Sequence, residues 1–139
     1  MMKAVTFGMV VAALAMATPS YAQAQEKAAA ESAAPFAVDA AKAKAGSKVF
    51  GAKACMGCHT IGKGRLAGPD LAGVLERRSE EWVRTWLKDP SVMFETDETA
   101  KALLKEYNNV KMPNMKLTEE QIDQVLHYIV EQGSKAKKK

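Results

Sequence analysis

Five consecutive residues, Cys55-Met56-Gly57-Cys58-His59, have the types and spacing to do chemistry. Two thiols three residues apart reach the two vinyl groups on one edge of a porphyrin, and the imidazole that follows then lies under the iron. Cys-x-x-Cys-His is the attachment pattern for a c-type haem. Two other chemistries use the bare Cys-x-x-Cys. A redox-active disulfide sits at a helix N-terminus, where the dipole activates the thiol; here the expected helix precedes the cysteines. A four-ligand zinc site needs a second pair of ligands, and only His127 remains in the chain. One covalent haem c is the expected cofactor. The two cysteines are also too close together to build a disulfide framework.

The elements that must position this motif read as helices and loops. Asp39 is a suitable N-cap, and residues 40–54 continue as a helix with Gly46, Val49 and Phe50 on one face. Residues 60–73 contain Gly62, Gly64, Gly68, Pro69 and Gly73 and form a loop. Ser79 with Glu80-Glu81 starts another helix, which carries Trp82 and Trp86 on one face and stops at Pro90. Residues 97–107 form a further helix, closed by Asn108-Asn109. Thr118 and Gln121 make a capping box for the last helix, whose apolar face is Ile122, Val125, Leu126 and Ile129. No segment alternates as a strand does, so the expected class is all-α.

The start of the chain reads as an export signal. Met1-Met2-Lys3 is positive, residues 4–17 are apolar but short for a membrane span, and Ser20-Tyr21-Ala22 has the small residues of a cleavage site. Cleavage is expected after Ala22, with Ala24 as the alternative. The expected division is a signal peptide (1–22), a flexible Ala-rich leader (23–38), a folded domain (39–133) and a basic disordered tail (134–139). The expected location is the periplasm, with no stable membrane insertion after cleavage. The net charge of +4 is concentrated in the tail and at Lys3; from Asp39 to Ser134 there are 14 basic and 14 acidic residues. A neutral body argues against a nucleic-acid partner.

The chain resembles a bacterial monohaem class I cytochrome c over residues 40–132. Gly46 and Phe50 match the small and aromatic positions of that family's first helix, Val125 and Tyr128 match the last helix that crosses it, and Gly68-Pro69-Asp70-Leu71 matches the loop after the haem motif. The resemblance implies a class I cytochrome c fold, four to five short helices wrapped around one covalent haem. It also implies that the Pro69 carbonyl accepts the Nδ1 hydrogen of His59, raising the basicity of that ligand, and that Leu71 packs on the haem.

Export leaves Met56, Met93, Met112 and Met115 as thioethers. Met56 lies within the attachment motif and Met93 reads as core packing. The resemblance points to Met112, followed by Pro113, as the second metal ligand beside His59; Met115 is the rival. His127 lies near Asp123, Gln124 and Glu131 and reads as a surface histidine. Trp82, Trp86, Arg77 and Arg78 are candidates for binding a haem propionate.

A His/Met-ligated iron leaves no open position for substrate. The expected function is a periplasmic electron carrier working between redox protein partners, not an enzyme, and either a monomer or a subunit. The alternatives are a dedicated haem c subunit of a periplasmic dehydrogenase, such as one oxidising a small inorganic anion, and a ligand-binding or peroxidase-like haem protein. Lys53, Lys63, Arg65, Lys111 and Lys116 flank the segments expected near the iron and are candidates for steering acidic partners.

Overall fold

Asp39 turns the chain into its first helix in the computed structural model, which describes residues 35–138. Its carboxylate accepts the amide hydrogens of Ala41 and Lys42 at 2.8 and 3.0 Å, satisfying donors that a helix start leaves without intrahelical partners. Helix α1 is Ala40–Ala52. A 3-10 turn, Cys55–Gly57, follows it and carries the first cysteine. After the glycine-rich loop come α2 (Val74–Arg77), α3 (Glu80–Lys88), α4 (Pro90–Thr96), α5 (Glu98–Glu106) and α6 (Glu119–Lys137). Among the described residues there is no strand. No helix among them is long and apolar enough to cross a membrane. The expected signal peptide and leader residues 23–34 lie outside the described residues.

The core forms where α1 crosses α6. A Cβ built on Gly46 would stand 1.9 Å from the Gln124 carbonyl oxygen, so only glycine lets the two backbones meet. Beside the crossing, the Phe50 and Tyr128 rings lie 5.3 Å apart. Ile122, Val125, Leu126 and Ile129 are buried with Phe50, Val83 and Leu87 in one cluster. The capping box that opens α6 has both of its bonds: Thr118 Oγ1 accepts from Gln121 N–H, and Gln121 Oε1 accepts from Thr118 N–H.

Four readings of the sequence need correction. Pro90 ends α3 as expected, but it also occupies the first turn of α4, because Asp89 accepts from the Ser91 and Val92 amides and caps a new helix. A proline at the start of a helix costs nothing, since its missing N–H would be unpaired there. With α2 and α4 included, the described residues hold six α-helices rather than four to five.

The tail expected to be disordered from residue 134 is helical as far as Lys137. Lys135 pairs with Glu131 one turn back, Lys137 reaches Glu76, and both cations lie at the negative end of the helix dipole.

His127 is not at the surface. It is 7% exposed. Its Nδ1 accepts the Asp39 N–H at 3.0 Å, and Phe36 packs on its ring at 4.7 Å. Of the polar neighbours that suggested solvent, Asp123 lies between helices, taken up by Lys42 of α1 and Arg84 of α3. Phe36 belongs to the folded body, although the leader was expected to run to residue 38.

Candidate haem site

The backbone enters the site through a left-handed residue, Ala54 (φ 54°), which reverses the chain after α1. The Cys58 and His59 amides then both donate to the Cys55 carbonyl, at 3.2 and 3.0 Å. This tight turn presents two thiols and an imidazole within five residues. Cys55 is half-buried and Cys58 exposed, and neither is in a disulfide. Burial pushes the Cys55 thiol above its ordinary value. That is the reverse of what an activated redox cysteine requires.

His59 Nδ1 lies 2.9 Å from the Pro69 carbonyl oxygen. A carbonyl can only accept, so Nδ1 carries the hydrogen and Nε2 presents its lone pair. The loop that supplies Pro69 has little regular structure but many bonds. Gly68 N–H donates to the Cys58 carbonyl at 2.7 Å, and Leu71 N–H to Thr60 at 2.9 Å. The Asp70 carboxylate accepts from the Gly62 and Ala72 amides at 2.8 Å each and from Gly64 at 2.5 Å. Partial burial would raise the Asp70 pKa, but these amides outweigh it and hold the carboxyl below its usual range. Arg77 clamps the same loop by donating to the Ala72 and Asp70 carbonyls at 2.7 and 2.8 Å. Two of the five guanidinium hydrogens are used on the backbone, and Arg77 also lines the cavity.

All eight residues selected from sequence (Cys55, Cys58, His59, Pro69, Leu71, Trp82, Trp86 and Met112) line one apolar cavity of about 340 Å³. The tryptophans of α3 stack with centroids 5.2 Å apart, yet their indole nitrogens differ. Trp86 Nε1 donates to Met112 Sδ at 2.9 Å. Trp82 Nε1 is buried with no partner, as is Arg78 Nε. Two buried donors without acceptors fit an acidic group seated beside them. An apolar cavity with thiols at its rim, a lone-pair imidazole, a thioether and two unpaired donors fits a haem.

Met115 also lines the cavity, and its carbonyl accepts from Lys53 Nζ at 2.7 Å. Met93 is buried in packing, and Met56 is 62% exposed. His127 stands apart from the cavity lining. Sequence reading missed the contribution of α4 and α5: Phe94 meets Trp86 edge-on at 5.1 Å, and Leu103, Leu104 and Tyr107 complete the wall. The available signal was the Asp97 cap followed by apolar residues at helical spacing. Of the five cations expected to ring the site, Lys53 is held by Met115, and Arg65 donates to the Glu106 carbonyl and lies over the Tyr107 ring at 4.2 Å. Lys63, Lys111 and Lys116 are exposed.

The cytochrome c family model matches residues 43–132. The chain belongs to the cytochrome c family. This cytochrome is similar to a cytochrome c from Rhodothermus marinus, with 29% identity and a TM-score of 0.66 over 74% of this chain and 86% of that one. It is also similar to the cytochrome c domain of a Pseudomonas putida protein, with 34% identity and a TM-score of 0.57 over 64% of this chain and 88% of that one. An engineered Rhodothermus marinus cytochrome c bound to a carbene intermediate matches at 28% identity and a TM-score of 0.63, over 73% and 86% of the two chains. No curated protein matches significantly. The cytochrome is of the bacterial monohaem class I type, its cofactor is covalent haem c, and electron transfer is the role this membership brings.

Proposed function

We propose that this cytochrome carries single electrons between redox protein partners in the periplasm, on a haem c attached through Cys55 and Cys58 and ligated by His59 and Met112. The observation that carries the reading is the pairing, in one apolar cavity, of an imidazole whose Nε2 lone pair is left free by Pro69 with a thioether held by Trp86. Bound haem supplies a one-electron change at iron. The chain supplies the rest. Pro69 orients His59 and makes it a better donor. Met112 is a soft ligand that favours a higher potential than a second imidazole gives. Trp82 Nε1 and Arg78 Nε, both buried without a partner, would donate to a propionate. Leu71, in the cavity wall, would cover the ring and keep water from it.

Ligation by both His59 and Met112 would suit a carrier and would leave no position for substrate. Lys63, Lys111 and Lys116 remain available to steer an acidic partner. Steering predicts that partner turnover slows as salt rises. Export rests on the sequence of residues 1–22 and is tested by the N-terminus of the mature protein. Whether the partner is transient or a dehydrogenase chain that co-purifies is decided by isolation under native conditions.

The deciding experiment compares absorption spectra of the oxidised wild type, Met112→Leu and Met115→Leu. The thioether-to-ferric charge-transfer band is expected to vanish only in Met112→Leu. Loss only in Met115→Leu would overturn the ligand assignment. Rapid carbon monoxide binding by the reduced wild type would overturn the carrier reading.

A further inference from the structure

Helix α5 ends, as every helix does, on four carbonyls without intrahelical partners. Three are satisfied by the chain that follows. Leu103 accepts from the Tyr107 N–H at 2.9 Å, Leu104 from Asn109 at 2.8 Å and Lys105 from Asn108 at 3.2 Å. The fourth, Glu106, accepts from Arg65 Nη2, and the Arg65 guanidinium lies over the Tyr107 ring at 4.2 Å. Beyond this point the chain loses its own support. Residues 110–118 have no regular structure, and Asn108, Asn109 and Lys116 adopt left-handed φ values of 55°, 59° and 51°. Among the described residues, no backbone–backbone hydrogen bond forms at residues 111–117. At the far end of this segment the Met115 carbonyl accepts from Lys53 Nζ at 2.7 Å.

We infer that Lys53 and Arg65 are positioning residues for Met112: they clasp the two ends of its segment to the part of the chain that carries Cys55 and His59, and so keep the iron closed to outside ligands. The inference rests on Met112 being the sixth ligand, as proposed above. Lys53 stands just before Cys55 and Arg65 follows His59 in the next loop, so the two cations bracket the attachment motif. Met112 lies between the points they hold.

The physical case follows from how little else holds the segment. A stretch with few bonds of its own opens at low cost, so its closure is set by groups outside it. Lys53 is half-buried in the cavity wall, where a charged donor makes a stronger bond than a neutral one. Arg65 is exposed but makes two contacts at once. One N–H meets a carbonyl at the negative end of α5, and the planar face covers Tyr107. A lysine could make the first contact but has no plane to stack. Tyr107 also lines the cavity, so the hold of Arg65 is passed to the wall.

The test is carbon monoxide binding to the reduced holoprotein, followed by stopped-flow absorbance. Carbon monoxide is small and uncharged, so its entry reports opening of the segment and not charge steering. The wild type is expected to bind slowly. Lys53→Met and Arg65→Met are each expected to bind about three- to tenfold faster, with the two factors multiplying in the double variant. Arg65→Lys should fall between Arg65→Met and the wild type. Lys63→Met, which removes an exposed charge from the same loop as Arg65, should bind as the wild type does. Unchanged rates in both single variants would overturn the inference even if their denaturation midpoints fall, because the contacts would then be structural only. Should the variants fail to fold, the wild type answers alone by nuclear magnetic resonance. The Arg65 side-chain hydrogens are expected at upfield positions over the Tyr107 ring, and the Lys53 side chain is expected to show a nuclear Overhauser effect to Met115. Absence of either would overturn the clasp. Rapid binding by the wild type itself would overturn the ligand reading and the clasp with it. Slow binding that neither substitution changes would overturn the clasp alone.

Discussion

Gly68 lies against the imidazole of His59 so closely that a Cβ at this position would stand 2.5 Å from Cε1 and 2.9 Å from Nδ1. The glycine is not needed for its backbone angles, since Gly62, Gly64 and Gly73 are the glycines with positive φ. Its role is to leave room for the ring beside the Pro69 carbonyl. Gly68→Ala is therefore expected to push His59 off its Nδ1–Pro69 bond. A weaker donor to iron should raise the reduction potential, and the overpacking should cost about 1–3 kcal/mol of stability. Redox titration and denaturant unfolding check both. Unchanged values in both would show that the ring has another resting place.

Asp123 ties three helices together. Its carboxylate meets Lys42 of α1 at 2.7 Å and Arg84 of α3 at 2.6 Å. Hydrogen bonding to Lys42, then to Arg84, lowers its pKa from 3.8 to about 2. The folded value lies below the unfolded one. The contribution to stability is thus fully present above about 3.8 and is lost as pH falls through about 2. Solvent screening of this partly exposed cluster limits it to about 1 kcal/mol. Asp123→Asn should be less stable by that amount at neutral pH, and its unfolding curve should converge on the wild type near the bottom of the acid range. A constant difference at all pH values would assign the effect to packing.

The C-terminal turn of α6 braces the loop that carries Pro69. Gly62 and Gly64 have almost the same φ, 81° and 83°, but a Cβ on Gly62 would stand 2.3 Å from the Ala136 Cβ, whereas Gly64 has open space. Gly64→Ala is expected to cost about 1 kcal/mol for left-handed strain alone. Gly62→Ala should cost about 2–3 kcal/mol because a clash is added. Deleting residues 134–139 should bring the two penalties together, which a double-mutant cycle on denaturation midpoints measures. Equal penalties with the tail present would mean that Ala136 does not press on the loop.

Much of the site was legible because its signals are local. Cys55, Cys58 and His59 are contiguous, the Thr118–Gln121 box is one turn long, and the resemblance brought Pro69 and Leu71 to the same cavity. What spacing could not do was tell Trp82 from Trp86. Residues four apart share a helix face, and only the fold decides which indole meets a sulfur and which is left without a partner. Arg77 and Arg78 separate in the same way, one clamping carbonyls and the other leaving a buried nitrogen unpaired. The tail was misread because a lysine run suggests solvent, while the contacts that hold it, Glu76 and Gly62, lie far away in sequence.

His127 is the sharpest case of a residue whose neighbours mislead. Asp123, Gln124 and Glu131, about one turn away on its helix, are polar, but His127 is buried, and its Nδ1 is the acceptor for the Asp39 N–H at the start of α1. Because Nδ1 accepts, the ring hydrogen of the neutral side chain sits on Nε2, which faces Asp123 Oδ2 at 3.8 Å. The ring therefore joins the start of α1 to α6 and has no free nitrogen aimed at the haem cavity. His127→Leu keeps apolar bulk beside Phe36 but leaves the Asp39 amide without its acceptor. The expected loss is about 1–2 kcal/mol, read from the midpoint of denaturant unfolding. The haem absorption spectrum and the reduction potential should stay as in the wild type. A spectrum altered toward high spin in this variant would make His127 an iron ligand; lost stability with an unchanged spectrum would place its role at the helix junction.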